Sequence, residues 1–67
     1  MKTYTLKMRT DSMGSFTQPG CASKEDALWH VNQARAHDGL EAYTLDGFRR
    51  LFNKRPPRWG SAKLVPE

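Results

Sequence analysis

Residues 23–40 read Ser-Lys-Glu-Asp-Ala-Leu-Trp-His-Val-Asn-Gln-Ala-Arg-Ala-His-Asp-Gly-Leu, and they carry the start, the period and the stop of one α-helix. Ser23 stands where an N-cap hydroxyl is wanted, with Glu25 and Asp26 in the first turn against the positive end of the helix dipole. Asp26, three residues on, makes a capping box in which Asp replaces the usual Glu or Gln. At 100° per residue Ala27, Leu28, Val31 and Ala34 fall within about 120° of one another, an apolar stripe of helical period. Gly39 followed by Leu40 supplies a C′ glycine with an apolar residue behind it, as a Schellman stop requires. The spacing predicts a helix over residues 24–38.

Outward from the helix the period changes to two. In residues 3–9 Tyr4, Leu6 and Met8 alternate with Thr5, Lys7 and Arg9, the pattern of a half-buried strand. Asp11-Ser12-Met13-Gly14 provides turn chemistry, and Ser15-Phe16-Thr17-Gln18 returns as the second arm of a hairpin. Pro19-Gly20 is expected to end that arm. Downstream, residues 41–45 read as a third strand. Residues 44–54 support two readings. Asp46-Gly47 fits a two-residue type I′ hairpin, while Thr44 as an N-cap groups Leu45, Phe48, Leu51 and Phe52 on one helical face, and the helix is favoured because it strands no apolar residue. The expected fold is a small single-domain α+β protein, an antiparallel sheet of three or four strands on one main helix, β-β-α-β plus a short C-terminal helix or strand. Residues 1–58 form the domain and residues 59–67 an extended C-terminal tail after Pro56-Pro57.

Composition sets the class of function. The chain has 67 residues, 37% of them hydrophobic, with a single cysteine and 11 Lys plus Arg against 7 Asp plus Glu. It is too short for two cores, carries no apolar run of about 20 residues for a membrane span, and cannot form an internal disulfide. Without a leader-like start, a reducing cytoplasm is the expected setting. His30 and His37 lie about 10 Å apart along the helix axis, too far for one metal ion. Cys21 before the helix N-terminus lacks any group to orient a base, so it reads as a packing residue. No enzyme activity, metal or cofactor is expected.

Charge is unevenly placed. Residues 1–46 hold five Lys or Arg and six acids, a net −1, whereas residues 47–67 hold six Lys or Arg and one acid, a net +5. Phe48, Phe52 and Trp59 interleave this cationic third, a composition that can hold phosphates and stack bases, although Phe48 and Phe52 also suit the core. Arg49, Arg50, Lys54, Arg55 and Arg58 are therefore the candidate nucleic-acid contacts. Arg55-Pro56-Pro57-Arg58-Trp59 lacks a complete PxxP and reads first as a rigid exit from the last element. Trp29 lies about 160° from the middle of the apolar stripe. Either the tail covers it or it anchors a protein partner, and Trp29 and Trp59 are the candidate protein-interface residues.

The opening strand, the Gly14 turn, the second strand and Pro19-Gly20-Cys21 before Glu25-Asp26-Ala27-Leu28 resemble the N-terminal part of HicB-type antitoxins, over residues 4 to about 34. The resemblance implies a protein that binds and blocks another protein. This chain departs from such antitoxins in its basic balance and in having no room for their separate DNA-binding domain. The expected function is a small non-enzymatic binding protein whose basic C-terminal third contacts nucleic acid or a nucleoprotein complex. The alternative is a protein inhibitor or adaptor, of the kind encoded by phages and mobile elements, that masks a partner through Trp29 or a sheet edge. A second copy of the chain, forming a homodimer, is another way to cover such edges.

Overall fold

A computed structural model describes residues 2–54 and 58–67. Five elements follow one another: β1 (Tyr4–Thr10), β2 (Gly14–Cys21), α1 (Lys24–His37), α2 (Leu45–Leu51) and β3 (Ser61–Pro66). The strands form one antiparallel sheet in the order β2-β1-β3, which places the last strand beside the first. This is the α+β class that the two periodicities predict.

The alternation of β1 survives in the fold. Leu6, Met8 and Thr10 are buried on one face, Lys7 is exposed on the other, and Thr5 and Arg9 on that second face are half-buried. Met8 sits between Phe16 of β2 and Ala62 of β3, and Leu6 between Gln18 and Leu64. Pro19-Gly20 does not end β2. Tyr4 pairs with Cys21 and Leu6 with Gln18, so Thr5 faces two residues and the dipeptide forms a β-bulge. Gly20 takes φ 74°, a conformation glycine adopts without strain, and Pro19 is tolerated because β2 is an edge strand.

Both ends of α1 form as the residues specify. Ser23 Oγ accepts from the Asp26 N–H at 3.1 Å, while the Asp26 carboxylate reaches back to the Ala22 N–H at 2.8 Å. At the other end the Leu40 N–H donates to Arg35 O at 2.8 Å and the Gly39 N–H to Ala36 O at 3.1 Å, with Gly39 at φ 74°. These are the two bonds of a Schellman motif. The buried row of α1 is Ala27, Val31 and Arg35, so an arginine occupies the last core-facing turn, where an alanine was expected.

Two further expectations are corrected. Residues 41–45 form no strand, because their backbone groups are taken by side chains of α1. Asn32 donates from Nδ2 to Tyr43 O at 3.1 Å and accepts from Tyr43 N–H at 2.8 Å, and Arg35 Nε donates to Glu41 O. Thr44 is then free to cap α2, its Oγ1 accepting from Gly47 N–H at 3.1 Å, and of the two readings of residues 44–54 the helix holds, over Leu45–Leu51. The other correction concerns residues 59–67, which are not a tail. Residues 61–66 pair with β1 from Tyr4 to Arg9, because Gly60 at φ 70° turns the chain in and its N–H bonds to Arg9 O at 2.7 Å.

One core results, with Leu6, Met8, Cys21, Ala27, Val31, Phe48 and Ala62 buried in a single cluster. Its β-sheet members all lie on one side of the sheet. Glu67 closes the open end: its carboxylate accepts from the hydroxyls of Thr3 and Thr5 and from the Gly20 N–H at 2.9 Å. Those three donors hold it below the usual carboxylate range, the Thr3 hydroxyl contributing most.

Candidate nucleic-acid interface

α2 positions the first group of candidate cations. Phe48 is fully buried and packs edge-on to Phe52 at 5.2 Å between ring centroids, which turns Arg49 and Arg50 outward. Both arginines lie in the last turn, where a cation complements the negative end of the helix dipole. The Arg49 guanidinium is 3.7 Å from the Glu25 carboxylate, across from the first turn of α1. Both groups are more than half exposed, so the pair contributes at most about 1 kcal/mol and is weakened by salt. Arg50 and Lys54 are exposed and enter no ion pair among the described residues. Lys24 joins this group, its ammonium 4.5 Å from the Phe52 ring centroid. Phe48 is thus a core residue and Phe52 is half-buried against it, so both offer a base less ring face than Trp59 does.

The second group lies elsewhere. Arg58 and Trp59 precede β3, and Trp59 is 57% exposed with the Arg9 guanidinium 5.1 Å from its ring centroid. Lys63 of β3 stands directly opposite Lys7 of β1. The fold divides the cationic third between α2 and the sheet, and adds Lys7 and Arg9 from a part of the chain whose net charge is negative. Their signal was present in the alternation of residues 3–9; what was missing was the strand that faces them. Arg55 lies outside the described residues.

Trp29 is 58% exposed on α1, stacked edge-on against His30 at 5.1 Å. The C-terminal segment that offered to cover it is in the sheet as β3, which leaves the ring available. Cys21 is buried, with its thiol donating to Gln18 O at 3.4 Å. Burial pushes that thiol up; the Leu6 backbone opposes it in part, and the Asp26 and Glu67 carboxylates add smaller upward pushes. A thiolate is therefore disfavoured there. Among the described residues no three His, Cys, Asp or Glu side chains gather as a metal site would need, and no helix is long and apolar enough to cross a membrane.

Compared with known protein families, with curated proteins and with solved structures, the chain matches none. The likeness of residues 4–34 to HicB-type antitoxins thus rests on its short motif alone.

Proposed function

We propose that this chain is a small, non-enzymatic binding protein whose basic residues contact the phosphates of nucleic acid, alone or within a nucleoprotein complex. The observation that carries the reading is that Arg50, Lys54 and Arg58 are exposed and enter no ion pair among the described residues. Cations without intramolecular partners gain most from a polyanion, because each phosphate they neutralise releases a condensed counterion. Arg49 adds a fourth contact once salt or a phosphate displaces the exposed Glu25. A reducing cytoplasm suits the buried, unpaired Cys21.

Fluorescence anisotropy with labelled duplex and single-stranded oligonucleotides tests the proposal. With three phosphates neutralised, duplex affinity falls roughly 40-fold from about 50 to 200 mM salt, from a slope of about 0.9 per contact. Arg49→Ala/Arg50→Ala/Lys54→Ala weakens binding to every sequence alike. Absence of binding to either form at low salt refutes the proposal.

A second reading is favoured by Trp29, whose 58% exposure on the helix that backs the core suits an anchor for a protein target. Under it, a pull-down retains its partner after nuclease treatment, and Trp29→Ala abolishes capture at an unchanged melting temperature. If Trp29→Ala unfolds the chain, the ring belongs to the fold and the reading fails.

A further inference from the structure

The outer face of the sheet carries an arrangement that stability does not ask for. The apolar residues the sheet buries, Leu6, Met8, Cys21 and Ala62, lie on the other face, where they share one core with Ala27, Val31 and Phe48 of the two helices. Lys7 and Lys63 are directly opposed across β1 and β3. Like charges facing each other across strands destabilise a sheet, and a bound phosphate chain removes that repulsion. The residues around them on β1 and β2 are Thr5, Ser15 and Thr17, short hydroxyl side chains that leave the surface flat. At the end of the face where β3 begins stands Trp59, more than half exposed, with Arg9 set against its ring at 5.1 Å. That contact holds the indole in place and leaves the rest of it to solvent. At the opposite end the Glu67 carboxylate, bonded to Thr5, repels phosphate and marks where a chain of phosphates stops.

We propose that this outer face binds single-stranded nucleic acid, with Lys7 and Lys63 on the phosphates and Trp59 stacked on a base. The inference rests on the nucleic-acid reading above and assigns it a surface and a strandedness. A single strand is the occupant because a ring can stack only on a base face that the stacking of a duplex has not already covered. Three strands spaced about 4.8 Å apart give a face about 10 Å across, wide enough for one backbone with its bases laid down.

The test is anisotropy with a labelled oligothymidylate, its uridine counterpart and a duplex of equal length, at low salt and in a salt series. Wild type binds the single strands more tightly than the duplex. Trp59→Ala weakens single-strand binding roughly 5- to 150-fold, from the range for one stacked base, with little effect on the duplex, and Trp59→Phe restores most of the loss. Lys7→Ala/Lys63→Ala lowers the log–log salt slope by about 1.4. Both lysines are exposed, so that variant folds and decides the matter even if Trp59→Ala does not. In a Trp29→Phe background, saturating oligonucleotide quenches the emission of Trp59. If the sheet variants bind as wild type does while Arg50→Ala/Lys54→Ala loses binding, this placement is wrong and the broader reading stands. If wild type binds no nucleic acid at low salt, both fall. Equal losses for duplex and single strand refute the single-strand assignment.

Discussion

Asn32→Ala should destabilise the protein by about 2 kcal/mol, although Asn32 is a polar, half-buried residue outside the apolar core. Its side-chain amide makes both hydrogen bonds that a neighbouring strand would offer Tyr43, at 3.1 Å to the carbonyl and 2.8 Å from the N–H. Each such bond contributes about 1 kcal/mol net, and Tyr43 is half-buried, so water replaces them only in part. For 67 residues the total stability is of order 3–10 kcal/mol, which makes this one side chain a large fraction of it. The melting temperature should fall by about 8–16 °C. Urea denaturation followed by circular dichroism measures the change, with an unaltered m-value showing that the fold is otherwise intact. Asn32→Asp should cost at least as much, because it sets a carboxylate oxygen against the Tyr43 carbonyl while keeping only the acceptor. A loss below about 0.5 kcal/mol for Asn32→Ala would refute the claim that α1 holds residues 41–44 through this amide.

Three further outcomes follow from the same structure. Glu67 has its carboxyl lowered by Thr3, Thr5 and Gly20, so its contribution is complete above the usual carboxylate range and is lost as pH falls through the folded value; the drop in melting temperature from neutral to acid pH should be smaller in Glu67→Ala than in wild type. Gly39→Ala should cost about 1–2 kcal/mol by chemical denaturation, all of it from the backbone at φ 74°, since an added Cβ meets nothing within 4 Å. Cys21 should resist a thiol reagent in the native protein and react at once in urea, and rapid native labelling would contradict its burial.

Local chemistry was legible wherever a residue's partner lies within a few positions of it. Ser23 and Asp26 cap the turn they begin, Gly39 and Leu40 close the turn before them, and Thr44 caps α2. Each of these bonds spans three to five residues, so the pattern and the structure are nearly the same statement. The misreadings share the opposite property. Residues 41–45 look like a strand in isolation, and only the approach of Asn32 and Arg35 gives their backbone another set of partners. Pro19-Gly20 looks like a terminator, and only the pairing with β1 turns it into a bulge. Ala34 looks like the last residue of the apolar stripe, yet Arg35 takes the buried place, 8% exposed because Glu41 O, the Ser12 hydroxyl and the Tyr43 ring enclose it.

The candidate interface divides along the same line. Charge asymmetry, the outward pair Arg49 and Arg50, and the misfit of Trp29 with its helix face can all be read from residue order, because they depend on composition and on a period within one element. That Trp29 stays uncovered, and that Lys7 and Arg9 meet Lys63 and Trp59 on one face, was settled only when residues 61–66 joined the sheet beside β1. Lys7 and Lys63 are brought together across 56 positions of chain by backbone hydrogen bonds that any sequence can make, so nothing in either side chain announces the other. Sequence determined the hairpin, the two helices and the balance of charge; tertiary pairing decided where the third strand forms and which charges share a surface.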